Sequence, residues 1–290
     1  VLDELKKIFR ESNIVGQFIL VNVVIFLLVN LILLIETLSK TGIFNVIRWL
    51  AASSDLSELL FKPWTIITYM FLHEGFWHLF WNMIMLFFAG RIFHDLLGTK
   101  RFVNVYFLGG LAGLAFFVIF YNIFPAFEDS VGAPILGASA SVMAIFVGIA
   151  SYTPNYTVFL PIIGPVKLKY IAIFYVVLDF ISIRSGVNSG GHIAHLGGAL
   201  WGFTWARQLH SGRDIGAWFD SIIGFVLALV RPGKNMKVVH KEREKQQSKA
   251  KKVARDEQAV IDSILDKISK SGYDSLSAAE KEILFKASKD

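Results

Sequence analysis

Phe18 to Ile35 is the stretch that most limits what this chain can become. It runs 18 residues without a charge, the length at which an apolar run reads as a membrane-spanning helix. In lipid the backbone must satisfy its own hydrogen bonds, so only helices and closed barrels cross. This run and the later ones are too long and too continuously apolar for barrel strands. The whole chain of 290 residues agrees: 54% is hydrophobic and only 18% charged, and the mean hydropathy is +0.54. A soluble domain of this size carries more charge. There are no cysteines, which removes disulfides, thiolate zinc sites and thiol catalysis. The charged start (Asp3, Glu4, Lys6, Lys7, Arg10) leads into the first run with no small-residue cleavage site after it. It therefore reads as a retained helix and not a signal peptide.

The expected fold class is an all-α polytopic membrane protein: a bundle of six transmembrane helices with a small helical C-terminal tail. The spans are expected at roughly 16–36, 76–97, 102–123, 138–153, 168–184 and 192–210. Between the first two, "IFNVIRWLAA" suits the membrane interface. In "YTVFLPIIGPVKLKY", Pro161 and Pro165 break helices, so a loop or re-entrant turn is expected. The expected division is 1–212 for the six-span domain, 213–231 for an amphipathic interfacial helix, 232–257 for a basic linker and 258–290 for a cytoplasmic helical hairpin. A seventh span over 213–231 is the alternative, but Asp214 and Asp220 fall inside it. The hairpin is read from Ile261, Ile264, Leu265 and Ile268 at helical spacing, Gly272 as a stop, and Ser277 to Glu280 as a capping box.

Basic residues orient the spans. One set of loops holds Lys6, Lys7, Arg10, then Arg91, Lys100, Arg101, then Lys167, Lys169, then Arg207 and Arg213. The alternate loops hold Lys40, Arg48 and Lys62, none between Phe124 and Leu136, and then Arg184. The richer set leads into the basic tail, so both termini are expected in the cytoplasm. The tail would be attracted to anionic lipid headgroups; a solvated linker is the plain alternative. No nucleic-acid partner is expected.

Four polar groups inside or beside the spans carry chemistry. Ser139, in Gly137-Ala138-Ser139-Ala140-Ser141, would open the fourth span, where free N–H groups and the dipole favour negative charge. Small residues there also suit close helix packing. His192 and His195 share a face, and Gly198 and Gly202 make a small-xxx-small pair. The histidines would serve as a base, as interhelical hydrogen bonders, or as a metal pair. Their spacing is not the usual i, i+4 of zinc helices, and no carboxylate stands nearby in sequence; no metal or cofactor is expected. His78 and Asn82 are i, i+4 and offer two donors for an oxyanion, or interhelical bonds. Asp179, in the fifth span, would be a third catalytic member or a proton site; the preferred reading is a structural partner of Arg184 or a backbone group. With the N-terminus inside, His78, Ser139 and His195 all fall at the outer ends of their spans. A nucleophile, a base and oxyanion donors at one depth are what acyl transfer needs.

Over about Pro63 to Trp205 these residues resemble the rhomboid intramembrane serine proteases. The match is Gly-x-Ser at 137–139, His-x-x-x-Asn at 78–82 and Ala-His-x-x-Gly-x-x-x-Gly from Ala194 to Gly202, with "PWTIITYMFLH" before the second span. The tail hairpin is similar to an extension of some bacterial members. The resemblance implies a Ser139–His195 dyad without a required acid and an oxyanion hole from the Ser139 N–H, His78 and Asn82. It implies a serine endopeptidase that cuts transmembrane protein substrates near the extracytoplasmic side of a bacterial inner membrane. Such substrates would have a helix that unwinds easily and a small residue at the cut. Gly137, His192 and Met143 are accessory candidates. Met143 stands where many relatives have an aromatic, Thr65 where they often have Arg, and Ala140 where Gly is common; His192 is an addition. An inactive relative that binds membrane helices is the second reading, and a small transporter the third.

Overall fold

The computed structural model describes residues 12–40, 45–230 and 261–270, together with 272, 276, 277, 279, 281 and 283. It divides into two compact units, Val1–Gly224 and Phe225–Asp290. The basic run over 231–255 and all but a few residues of the capping-box helix lie outside the described residues.

The first unit is built on helices α1 (Ile14–Ser39), α2 (Phe76–Ile123), α3 (Ser139–Tyr152), α4 (Leu168–Ser182) and α5 (Ser189–His210). Two of them, α1 and α2, are long and apolar enough to cross a membrane. Helix α1 is capped by Asn13, whose Oδ1 accepts the Gly16 N–H at 2.9 Å. Only Val15, Asn22 and Val29 are buried along it. Leu27, Leu28, Leu31, Leu34, Ile35 and Leu38 are exposed among the described residues, as suits a lipid-facing helix.

Helix α2 covers two of the expected spans in one 48-residue element, broken at Gly98 (φ 80°, ψ 171°). A side chain would strain that left-handed backbone, and glycine does not. The chain doubles back there. Glu74 and His78, at the start, line the same cavity as Phe117 and Tyr121, near the end, while Phe93 packs on Phe102 across the turn.

Helices α3 and α5 cross through their small residues. A Cβ on Gly198 would collide with the carbonyl oxygen of Ala140, and one on Gly202 with that of Ala144. Further along, His210 Nε2 donates to the Tyr152 carbonyl at 3.0 Å. Each of these pairs is 58 residues apart, so the helices run parallel in constant register. The second half of α2 closes the other side of α3: a Cβ on Gly109 would meet Ala144, and one on Gly113 would lie 2.8 Å from the Ala194 carbonyl. Every residue of α3 from Ala140 to Ala150 is buried. Helix α4 is peripheral, with only Leu168, Ala172 and Asp179 buried.

Three expectations are corrected. The segment read as a loop or re-entrant turn is an antiparallel hairpin, β3 (Thr157–Leu160) and β4 (Gly164–Lys167). Pro161 falls in its turn, and Pro165 lies on a two-stranded ladder where both strands are edges, which proline tolerates. The fold is therefore not wholly α. A second small ladder pairs β1 (Ala52–Ser53) with β2 (Pro134–Ile135). The Ser54 N–H donates to the Ala133 carbonyl at 3.0 Å and Asn122 Nδ2 to the Ser54 carbonyl at 2.8 Å. These ties fix the approach to α3. Finally, the helix expected from 213 starts only at Phe219, as α6 (Phe219–Val230). Asp214 holds the preceding turn: it accepts from Arg101 Nε at 2.9 Å, Trp205 Nε1 at 3.0 Å and the Gly216 N–H at 3.2 Å. In the second unit, residues 261–270 form the first expected tail helix, ending where the Gly272 N–H reaches the Ile268 carbonyl.

Candidate active site

Ser139 is the first residue of α3. Gly137 precedes it at φ +137°, a conformation open to glycine and strained for other residues. Its N–H donates to the Tyr69 carbonyl at 2.9 Å. The buried Tyr69 hydroxyl in turn donates to the Gly110 carbonyl at 2.6 Å. One tyrosine thus pins the start of α3 to the second half of α2.

Gly137 leaves room that the site uses. A Cβ there would sit 3.0 Å from His78 Nε2 and 3.4 Å from Ser139 Oγ. The His78 ring and the Ser139 hydroxyl therefore border the same point. His78 Nδ1 accepts the Glu74 N–H through a long 3.5 Å contact, which leaves the ring proton on Nε2, the atom facing Gly137. Asn82, one turn on, is buried and gives one amide N–H to the His78 carbonyl at 2.9 Å; its second N–H remains. His73 packs edge-on against His78, ring centroids 5.1 Å apart. Burial, and then the neighbouring His78, push its pKa down to about 3, so this ring stays neutral.

His195 lies on α5. In the constant register of α3 and α5 it is level with Gly137, two residues and about 3 Å of axial rise from Ser139. Its Nδ1 bonds Asp179 Oδ1 at 2.9 Å. His192 Nδ1 bonds the same oxygen at 2.8 Å, and the two rings stand nearly perpendicular, 5.9 Å apart. Against an ionised carboxylate both Nδ1 atoms carry the hydrogen, and in the neutral form of each ring Nε2 is then the acceptor.

Asp179 thus bonds the two histidines, in place of the expected partner Arg184. It also supplies the carboxylate that the sequence left missing near the two histidines. The signal was weak in sequence. Asp179 stands 16 residues from His195 on another helix, and only its position within an apolar run marked it. The two serines separate as expected. Ser141 is buried, its Oγ facing Gly110 without a hydrogen-bond partner among the described residues, so it packs. Met143 is buried in α3. Thr65 closes a turn through Oγ1 to the Lys62 carbonyl at 2.7 Å. A partly open cavity of about 640 Å³ reaches His78, Glu74, Tyr121, Leu136 and Gly190. Ser139 and His195 are not among its lining residues.

The Rhomboid domain family matches residues 60–212, just over half of the chain. Residues 243–290 match a family of unknown function, DUF6576. RHOMBOID-like protein 12, mitochondrial, of Arabidopsis thaliana is 31% identical over 159 residues, 51% of this chain and 47% of that protein. Presenilin-associated rhomboid-like protein A, mitochondrial, of Danio rerio is 31% identical over 137 residues, 46% and 34% of the two. Inactive RHOMBOID-like protein 8 of Arabidopsis thaliana is 34% identical over 82 residues, 28% and 23%. The chain thus spans less than half the length of each curated relative. Two of the three are named as mitochondrial, which lends no support to the expected bacterial inner membrane. With the three motifs, helices α2 to α5 and the family match all falling between residues 60 and 212, the chain belongs to the membrane-embedded rhomboid family.

Proposed function

We propose that this protein is an intramembrane serine endopeptidase of six spans that cleaves transmembrane substrates near the extracytoplasmic side, with both termini cytoplasmic. Rhomboid proteins are typically serine proteases, although some are inactive. The observation that carries the reading is the Asp179–His195 bond in a ring level with Gly137. It favours the tautomer a general base needs, with the Nε2 lone pair free for Ser139.

Ser139 Oγ attacks the scissile carbonyl while His195 Nε2 takes its proton. His195 then returns the proton to the leaving amine, and water opens the acyl-enzyme by the reverse route. Asp179 keeps the Nδ1 hydrogen in place and offsets the charge of the imidazolium. The oxyanion is received by the Ser139 N–H at the start of α3, the Nε2–H of His78 and the free amide N–H of Asn82. Loss of one such donor typically costs about 10²–10³ in rate. The cavity beside His78 is a route for the water that deacylation consumes. The scissile bond must leave its helix first, because a helical carbonyl is shielded.

An inactive relative is among the matches, and loss of Ser139 or His195 would be its mark; both are present. The test is cleavage of a model transmembrane substrate by reconstituted protein, comparing the parent with Ser139→Ala and His195→Ala. Both variants should be inactive, and a fluorophosphonate probe should label Ser139. Alanine variants as fast as the parent, or labelling at Ser141, would refute the assignment.

A further inference from the structure

His192 has no task in the reaction above, yet it is held as firmly as His195 and on the same oxygen. We infer that Asp179, His192 and His195 form a binding site for a transition-metal dication of the zinc type, and that metal bound there switches the protease off. The inhibitory half of this inference rests on the role proposed for His195; the binding half does not.

Two imidazoles and one carboxylate are a donor set that zinc sites use, with a further position open to water. One donor atom from each residue lies within 4.8 Å of the other two. The two Nδ1 atoms are 2.8 and 2.9 Å from Oδ1. Ligands around a tetrahedral zinc, at bonds of about 2.1 Å, stand about 3.4 Å apart, so each nitrogen need move from Oδ1 by only about half an ångström. His192 and His195 are i, i+3 on one helix, a spacing at which side chains share a face and at which bundle di-metal sites place ligands. Asp179 comes from α4, so the ion would clamp α4 to α5. Imidazole donors select zinc, cobalt, nickel or copper over magnesium and calcium.

The inhibition follows from which nitrogen is used. A metal takes the Nδ1 lone pair of His195. The ring hydrogen must then sit on Nε2, the atom that accepts the Ser139 proton. The bound ion also removes Asp179 from His195. A metal-ligated His195 therefore cannot act as the base.

The test has two arms on untagged, detergent-solubilised protein. Cobalt(II) is titrated into the Ser139→Ala protein and followed by its visible ligand-field absorption, which needs no activity. The expected result is a band saturating at one equivalent, lost in Ser139→Ala/His192→Ala and in Ser139→Ala/Asp179→Asn. No band, or a band that survives either second substitution, overturns the site. In the second arm, zinc chloride should inhibit substrate cleavage by the parent, chelator should restore it, and magnesium should do nothing. His192→Ala, each protein normalised to its own metal-free rate, should need at least about tenfold more zinc, since loss of even an outer-shell partner typically costs 10–100-fold in affinity. Cobalt binding without zinc inhibition overturns the switch. A parent that neither cleaves substrate nor labels at Ser139 overturns the protease reading, and the cobalt result still decides the site.

Discussion

At the scale of single residues, two buried or half-buried aspartates organise opposite ends of α5. Asp179 gives one oxygen to two imidazoles. In Asp179→Asn the amide can present either a carbonyl or an NH₂ to His195, and the NH₂ form imposes the wrong tautomer. In a soluble Ser-His-Asp protease this change costs about 10⁴ in kcat. Here the ring is also held by the packing of α5, and a loss of about 10–10² is expected at little-changed KM. Thermal stability should stay close to the parent's; an Asn variant with parental kcat would remove Asp179 from the mechanism. Asp214 is tested by acid. Partial burial raises its pKa, but hydrogen bonds from Arg101, Trp205 and Gly216 outweigh that and bring it below the ordinary carboxylate range. A folded pKa below the unfolded one means stability is present above the unfolded value, about 4, and is lost as pH falls through the folded value. Between about pH 5 and about pH 3 the parent's Tm should therefore fall more steeply than that of Asp214→Asn. Parallel curves would show that the carboxylate adds nothing. Ser139, His195, His78 and Asn82 could all be picked out in sequence because each lies in a short motif on one helix. Asp179 was marked only by its place in an apolar run, and its bonds to the two histidines were hidden, because they lie one helix away and share no local spacing with it.

Among the elements, the crossing of α3 and α5 determines the site. The register is locked where glycine lets two backbones touch, and His195 lies a single turn from that contact. In Gly202→Ala the new methyl would press on the Ala144 carbonyl oxygen and lie 2.9 Å from the Gly148 nitrogen. Backbone cannot yield as a side-chain tip does, so a cost of about 1–3 kcal/mol is expected. It should appear as a lower Tm in detergent together with slower labelling of Ser139. Gly224→Ala is the control, since nothing lies within 4 Å of its Cβ position. Equal Tm values for the two variants would mean that the helices are free to slide. The Gly198-x-x-x-Gly202 pair was legible because close packing leaves a small-residue spacing in one segment. The β3–β4 hairpin was not, because Pro161 and Pro165 speak against a helix without saying which non-helical form replaces it. The late start of α6 was also hidden, for the turn before it is held through Asp214 by Arg101, which is distant in sequence, as well as by Trp205 on the preceding helix.

For the molecule as a whole, helix lengths suggest why the chemistry would lie inside the bilayer. The second half of α2, from Thr99 to Ile123, is about 37 Å long at 1.5 Å per residue, enough for a hydrocarbon core of about 30 Å. Helix α3 has 14 residues and extends only about 21 Å. Its end at Tyr152 is level with His210, the end of α5. If that end marks the cytoplasmic boundary, Ser139 stops roughly 10 Å short of the outer one. The charge bias of the loops points to the same orientation, and the chain offers a direct check because it has no cysteine of its own. Lys100, just past the Gly98 break, and Glu128, beyond the end of α2, are both exposed. In sealed, right-side-out membranes an impermeant maleimide should label Glu128→Cys at once, and Lys100→Cys only after detergent is added. The reverse pattern would move the cut to the cytoplasmic side of the substrate. Labelling of both from one face would mean that Thr99–Ile123 does not span, and the depth assigned to Ser139 would fall with it.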